Sequence, residues 1–200
     1  MNEQLLRDLT QADGIPSRED NVREVVAANM RGLVDDMRVD TLGNLIGHVA
    51  GNGGPKVALA AHMDEIGFIV RYIEESGYLR LQPVGGFDPR PLVAQRVRVH
   101  VRDVEPLNGV LQPGAKPIHL LKPEDSKDLK LEEFFVDLGL AADQVRETVS
   151  IGDMVTMRRD LEVMGDMVVS KALDDRLGIS VMLEAIRAAE KVNADVYPVA

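Results

Sequence analysis

Val57-Ala58-Leu59-Ala60-Ala61-His62-Met63-Asp64-Glu65-Ile66-Gly67 carries an apolar run directly into an imidazole and two carboxylates. The run follows a Gly51-Asn52-Gly53-Gly54-Pro55 breaker, and Val57 to Ala61 read as a buried strand. Such a strand delivers His62 and Asp64 at its carboxyl end, where α/β folds keep their chemistry. Residues two apart on a strand share a face, so His62 and Asp64 look into one space while Met63 looks away. A carboxylate so placed can hold an imidazole in the tautomer that binds a metal. The plainer alternative is a core histidine satisfied by its neighbour.

Working outward, the chain before this stretch reads as two helices joined by Asp13-Gly14-Ile15-Pro16-Ser17, with Ser17 as cap of the second and Glu19-Asp20 favouring its start. Val22, Val25, Val26 and Met30 recur at helical spacing and give that helix one apolar face. Met37 to Asp40 and Leu45 to Val49 read as two strands around the turn-rich Thr41-Leu42-Gly43-Asn44. This is an α/β opening. Beyond Gly67 the pattern changes to short candidate strands at residues 68–73, 78–82, 96–101, 109–111 and 154–157, separated by Gly, Pro and charged turns. Residues 122–142 are charged and turn-broken, with a helix expected near Leu129 to Leu138. The apolar helical pattern returns at Ile179 to Lys191. Residues 68–163 are therefore expected to be a β-rich insertion in an α/β domain formed by 1–67 and 164–200. Val196 to Ala200 begins another strand, and a domain seldom stops on a new core strand, so the expectation is that this is the amino-terminal portion of a longer chain.

Composition narrows the class. With 200 residues and 45% hydrophobic content the chain can bury a real core. A formal net charge of −10 argues against a general nucleic-acid or anionic-membrane binder, since both need a basic surface. The absence of cysteine excludes disulfides and thiolate metal sites, leaving His, Asp and Glu as ligands. No apolar stretch approaches the ~20 residues of a membrane span, and Met1-Asn2-Glu3-Gln4 does not open a secretion signal, so a cytoplasmic soluble protein is expected.

A second polar cluster, Asp174-Asp175, stands immediately before the last apolar helix. Carboxylates there can simply cap the helix. Two separate groups of polar residues, each at the end of an apolar element, are costly unless the site binds something. His62-Met63-Asp64-Glu65-Ile66-Gly67 together with Ser170-Lys171-Ala172-Leu173-Asp174-Asp175-Arg176-Leu177-Gly178 closely resembles the tetrahedral aminopeptidases, a family of dinuclear metallopeptidases that includes the glutamyl aminopeptidases. Asn44 after Thr41-Leu42-Gly43, and Gly109-Val110-Leu111 followed by Pro117 to Leu121, look like further family segments.

The resemblance implies a three-layer α/β catalytic domain, a central mixed sheet flanked by helices, carrying an inserted β-rich dimerisation domain. It implies that His62 binds one metal ion, that Asp174 bridges two, and that Asp64 is the catalytic-site carboxylate orienting His62. Two divalent ions, zinc or cobalt, are the implied cofactors. The Asp174–Asp175 peptide is a candidate for a cis bond. Short peptides are the implied substrates, and dimers assembling into a larger homo-oligomeric particle the implied assembly. The family's remaining ligands and its general base, a Glu-Glu pair, a further aspartate and a late histidine, are expected beyond the strand that starts at Val196. Glu74-Glu75 in a hairpin turn and Glu132-Glu133 in the insertion do not replace them.

Other readings stand beside this one. Some relatives are labelled endoglucanases, although glycoside hydrolysis usually uses two carboxylates flanking one bond and no metal. A non-catalytic or incomplete module acting through its oligomerising insertion is the third. His48 reads as a surface or edge residue, and His100 as part of a solvated face with Arg98 and Arg102. His119 reads as a structural hydrogen-bonding residue. Lys171 and Arg176 are expected to pair with acidic groups rather than to meet substrate.

Overall fold

The computed structural model describes residues 2–114, 120, 129–189 and 191–200. The chain forms two compact units, Met1–Glu65 with Arg159–Ala200, and Ile66–Arg158.

In the first unit, α1 (Glu3–Gln11) starts on Asn2, whose side-chain oxygen accepts the Leu5 amide at 3.1 Å. Leu5 and Leu9, four apart, are buried, as are Val22, Val26 and Met30 along α2 (Asp20–Met30). Ser17 does not cap α2 as expected. It is the third residue of an Ile15-Pro16-Ser17-Arg18 turn, closed by Arg18 N donating to Ile15 O at 2.9 Å, and has φ 68°. Proline second and a positive φ third are the requirements of a type II turn, which uses Ser17 for the chain reversal. Its amide donates to the Glu19 carboxylate at 2.7 Å.

Strands β1 (Asp36–Val39) and β2 (Leu45–His48) pair as the expected hairpin, from Asp36 opposite His48 to Val39 opposite Leu45. Asp40 organises the connection. Its carboxylate accepts the Asn44 side-chain amide at 2.8 Å and the backbone amides of Leu42 and Asn44 at 2.9 and 3.0 Å, and these bonds hold its carboxyl below the usual range. The sheet is completed by β3 (Lys56–Ala60) and the last strand, β12 (Asp195–Val199), in the order β1-β2-β12-β3. β12 runs antiparallel to β2 and parallel to β3, with Asp195 opposite Lys56 and Val199 opposite Ala60.

Among the described residues β3 is the last strand of this sheet, and Leu59 is its half-buried residue. β12 pairs along one side of β3, and Leu59 and Ala61 turn toward the core. That core joins Leu5 and Leu9 of α1, Val22, Val26 and Met30 of α2, Leu45 of β2, and Ile179, Met182 and Leu183 of α4 (Leu173–Ala188). His48, expected at the surface or an edge, stands on β2 inside the sheet, and its half-buried imidazole stacks on Tyr197 with ring centres 4.8 Å apart.

The second unit is a closed antiparallel barrel. Its strands are β4 (Gly67–Ile73), β5 (Leu79–Val84), β6 (Arg96–His100), β7 (Leu107–Gln112), β8 (Phe135–Asp137) and β9 (Met154–Met157). They close in the order β4-β5-β8-β7-β6-β9. Alternation fills the interior: Phe68 and Val70, Leu79 and Leu81, Val97 and Val99 are buried at every second position. The helix expected near Leu129 to Leu138 is not formed. Phe134 and Val136 are buried two apart, and Val136 pairs with both Leu79 and Leu111, so the segment is a single 3-10 turn at Leu131–Glu133 followed by β8. Among the described residues the unit's α-helix is instead α3 (Ala142–Thr148), which buries Val145. His100 is half-buried rather than solvated, its Nε2 lying 2.9 Å from the hydroxyl of the fully buried Thr156. His119 lies outside the described residues. A short hairpin of β10 (Glu162–Met164) and β11 (Met167–Val169), not foreseen from the sequence, belongs to the first unit. Among the described residues no helix is long and apolar enough to cross a membrane.

Candidate metal centre

Because β3 and β12 run parallel, their carboxyl ends open on the same side, and His62 and Asp64 stand on the loop just past Ala60. His62 Nδ1 lies 3.1 Å from Asp64 Oδ1 and 3.2 Å from the Asp64 carbonyl. His62 Nε2 lies 3.2 Å from Asp174 Oδ1. The three residues singled out from the sequence thus form one chain of contacts, with the imidazole between two carboxylates. Asp64 occupies one ring nitrogen, which directs the other toward Asp174. Beside them is a cleft of about 400 Å³ lined by Gly43, Asn44, Ala60, His62, Asp64 and Asp175, among others.

The two aspartates before α4 divide the roles that the sequence left open. Asp175 is the cap: its Oδ1 accepts the Gly178 amide at 3.2 Å. Gly178 is needed for that approach, since a Cβ there would stand 2.8 Å from the Asp175 carboxyl carbon. Both aspartates have non-helical backbone angles, and the peptide between them is cis. Asp174 instead turns toward His62, with its side chain 97% exposed. An imidazole nitrogen and a carboxylate oxygen converging in the open are donors that suit zinc or cobalt. Among the described residues, no group of three or more His, Asp or Glu is arranged to hold a metal ion. His62 and Asp174 are a pair of donors of the type such an ion takes.

Beneath this pair lies a buried ionic cluster that the sequence did not disclose. Lys171 Nζ donates to Asp13 Oδ1 at 2.5 Å and to Glu65 Oε1 at 2.7 Å. Arg176, fully buried, donates from Nε to the Met63 carbonyl at 2.8 Å and from Nη1 to the Leu9 carbonyl at 2.8 Å and the Ala12 carbonyl. Its Nη2 reaches the Gly14 carbonyl at 3.3 Å and Glu65 Oε1 at 3.5 Å. Burial pushes the Glu65 carboxyl up, against the pull of Lys171 and Arg176, and burial pushes the Arg176 guanidinium down. Lys171 and Arg176 do pair with acidic groups, but with Asp13 and Glu65 rather than Asp174 and Asp175. Asp13 sits in a Gly-Pro turn, where an aspartate reads as a turn former; the available signal was a lysine and an arginine flanking the Asp174-Asp175 pair with too few solvent-facing reasons to be there.

The sequence pattern of the M42 glutamyl aminopeptidases matches residues 43–200. The chain belongs to the M42 glutamyl aminopeptidase family. Among solved structures it is similar to an aminopeptidase of the archaeon Desulfurococcus kamchatkensis, with 39% identity and a TM-score of 0.91 over 98% of this chain and 54% of that one. It is also similar to a Thermotoga maritima protein named an endoglucanase, with 34% identity and a TM-score of 0.80 over 97% of this chain and 57% of that one. The TET1 peptidase of Pyrococcus horikoshii, which can assemble into a tetrahedron or a large octahedral shell, shares 31% identity and a TM-score of 0.85 over 98% of this chain and 59% of its own. This M42 chain spans about half the length of the curated relatives it matches, 56%, 56% and 58% of the first three. Its mixed α/β architecture is that of these aminopeptidases.

Proposed function

We propose that the protein is a metal-dependent aminopeptidase that removes amino-terminal residues from short peptides. The observation that carries this reading is the convergence of His62 Nε2 and Asp174 Oδ1, 3.2 Å apart, at the rim of a cleft, with Asp64 behind the imidazole. His62 and Asp174 would be the ligands present in this chain, with Asp174 as the bridging carboxylate between two ions. Asp64 keeps the Nδ1 proton of His62 engaged and so leaves Nε2 as a lone-pair donor. When bound, divalent zinc or cobalt supplies Lewis-acid polarisation of the scissile carbonyl and lowers the pKa of a nucleophilic water.

The division of labour would follow the two units, whose bounds lie a few residues from those expected: Met1–Glu65 with Arg159–Ala200 as part of a three-layer sheet-and-helix catalytic domain, and Ile66–Arg158 as the dimerisation part. Assembly of dimers into a hollow particle, supported by the likeness to a TET1 peptidase, would admit only short peptides. Glycoside hydrolysis is disfavoured because it places two carboxylates across one bond, whereas here an imidazole stands between them.

The test is an assay of the protein at its full natural length on aminoacyl anilides and on a cello-oligosaccharide, with and without a chelator. Release of the anilide that stops on chelation and returns with zinc or cobalt is expected. Chelator-insensitive cleavage, or turnover of the oligosaccharide alone, would overturn the reading.

A further inference from the structure

We propose that Arg176 is a positioning residue for the metal centre: by holding the Met63 carbonyl it sets the distance between His62 and Asp174, and Lys171 with Asp13 and Glu65 holds Arg176 in place. The proposal rests on the metal reading of His62 and Asp174 given above.

Asp64 holds the His62 ring at Nδ1, and Nε2 meets Asp174 Oδ1 at 3.2 Å. The spacing of the two donors depends as well on the backbone segments that bear them, residues 62–64 and 174–176. Arg176 connects these two segments directly. It lies two residues after Asp174, and its Nε binds the carbonyl of Met63, the residue between His62 and Asp64, at 2.8 Å. The other arms of the same guanidinium are spent on the Leu9, Ala12 and Gly14 carbonyls and on Glu65. A planar group fixed on so many sides cannot rotate, so movement of the 62–64 loop relative to the start of α4 would break a buried charged hydrogen bond.

Stability alone does not account for the arrangement. Burying a guanidinium, an ammonium and two carboxylates is often no better than an apolar core of the same volume. What the charged version adds is direction, because each hydrogen bond has one acceptor and one angle. Lysine at 176 would present three donors from one point and could not span the Met63 carbonyl and the α1 carbonyls together.

The experiment titrates cobalt into the protein at its natural length and follows the visible cobalt spectrum, with urea denaturation of the metal-free form as a parallel readout. Arg176→Lys is expected to weaken cobalt binding about 10- to 100-fold and to change the band shape, the size seen when groups that orient a ligand are removed. Met30→Ala, which removes a core side chain of α2, serves as the control and is expected to lower stability without moving cobalt affinity. Should Arg176→Lys not fold, Asp13→Asn takes its place, loosening Lys171 while keeping its shape, with a smaller fall in affinity expected. Unchanged affinity and spectrum in the folded variant would overturn the positioning role. Absence of cobalt binding by the unsubstituted protein, or binding indifferent to His62→Ala, would overturn the metal reading itself and the proposal with it.

Discussion

On the proposed metal reading, replacing His62 with alanine is expected to lower kcat/KM of the protein at its natural length on the order of 10³-fold on an aminoacyl anilide, because a metal ligand contributes several kcal/mol to transition-state charge stabilisation. The Asp174→Asn substitution should be as severe, since it keeps shape and removes the charge that a bridging ligand needs. Asp64→Ala should be milder, costing about 10- to 100-fold in metal affinity, as expected for a group that acts through His62 Nδ1 at 3.1 Å. The order matters more than any single value. If Asp64→Ala were more damaging than His62→Ala, the roles drawn from the geometry would be wrong. If all three retained activity, the site would lie elsewhere.

The second large effect concerns stability. Glu65→Ala removes the carboxylate that faces both Lys171 at 2.7 Å and Arg176 at 3.5 Å, with every partner nearly inaccessible to water. Removing one member of such a buried set leaves an uncompensated charge and costs about 3–5 kcal/mol. Asp13 still faces Lys171, and the carbonyls of Leu9, Ala12 and Gly14 still face Arg176, so the lower end is expected. Glu65→Gln keeps an acceptor in place and should cost clearly less than Glu65→Ala, consistent with burial pushing this carboxyl up. Urea denaturation of the variants decides it: a loss under about 1 kcal/mol for Glu65→Ala would mean that the cluster is held by its backbone bonds, not its charges.

These residues also mark where sequence reasoning reached and where it stopped. The pairing of His62 with Asp64 was visible because spacing of two is a local property, and the helix after Asp175 because Ile179, Met182 and Leu183 repeat at helical spacing. Which aspartate caps that helix was not visible, because the answer depends on the Asp175 approach to Gly178, which only the local backbone defines. The partners of Lys171 and Arg176 are 158 and 111 positions away in Asp13 and Glu65, and no local pattern encodes such a pairing. Leu129 to Leu138 misled because its charges mask a two-residue alternation at Phe134 and Val136 that only the barrel explains. Val57 to Ala61 were legible as a strand, but burial was a separate matter, because it depends on which elements lie beside the strand.

The most direct test of the central claim is crystallographic. Crystals of the protein at its natural length, soaked with zinc, should give an anomalous difference peak in contact with both His62 Nε2 and the Asp174 carboxylate, lost in the His62→Ala variant. A protein that binds zinc with no peak touching either side chain would contradict the account.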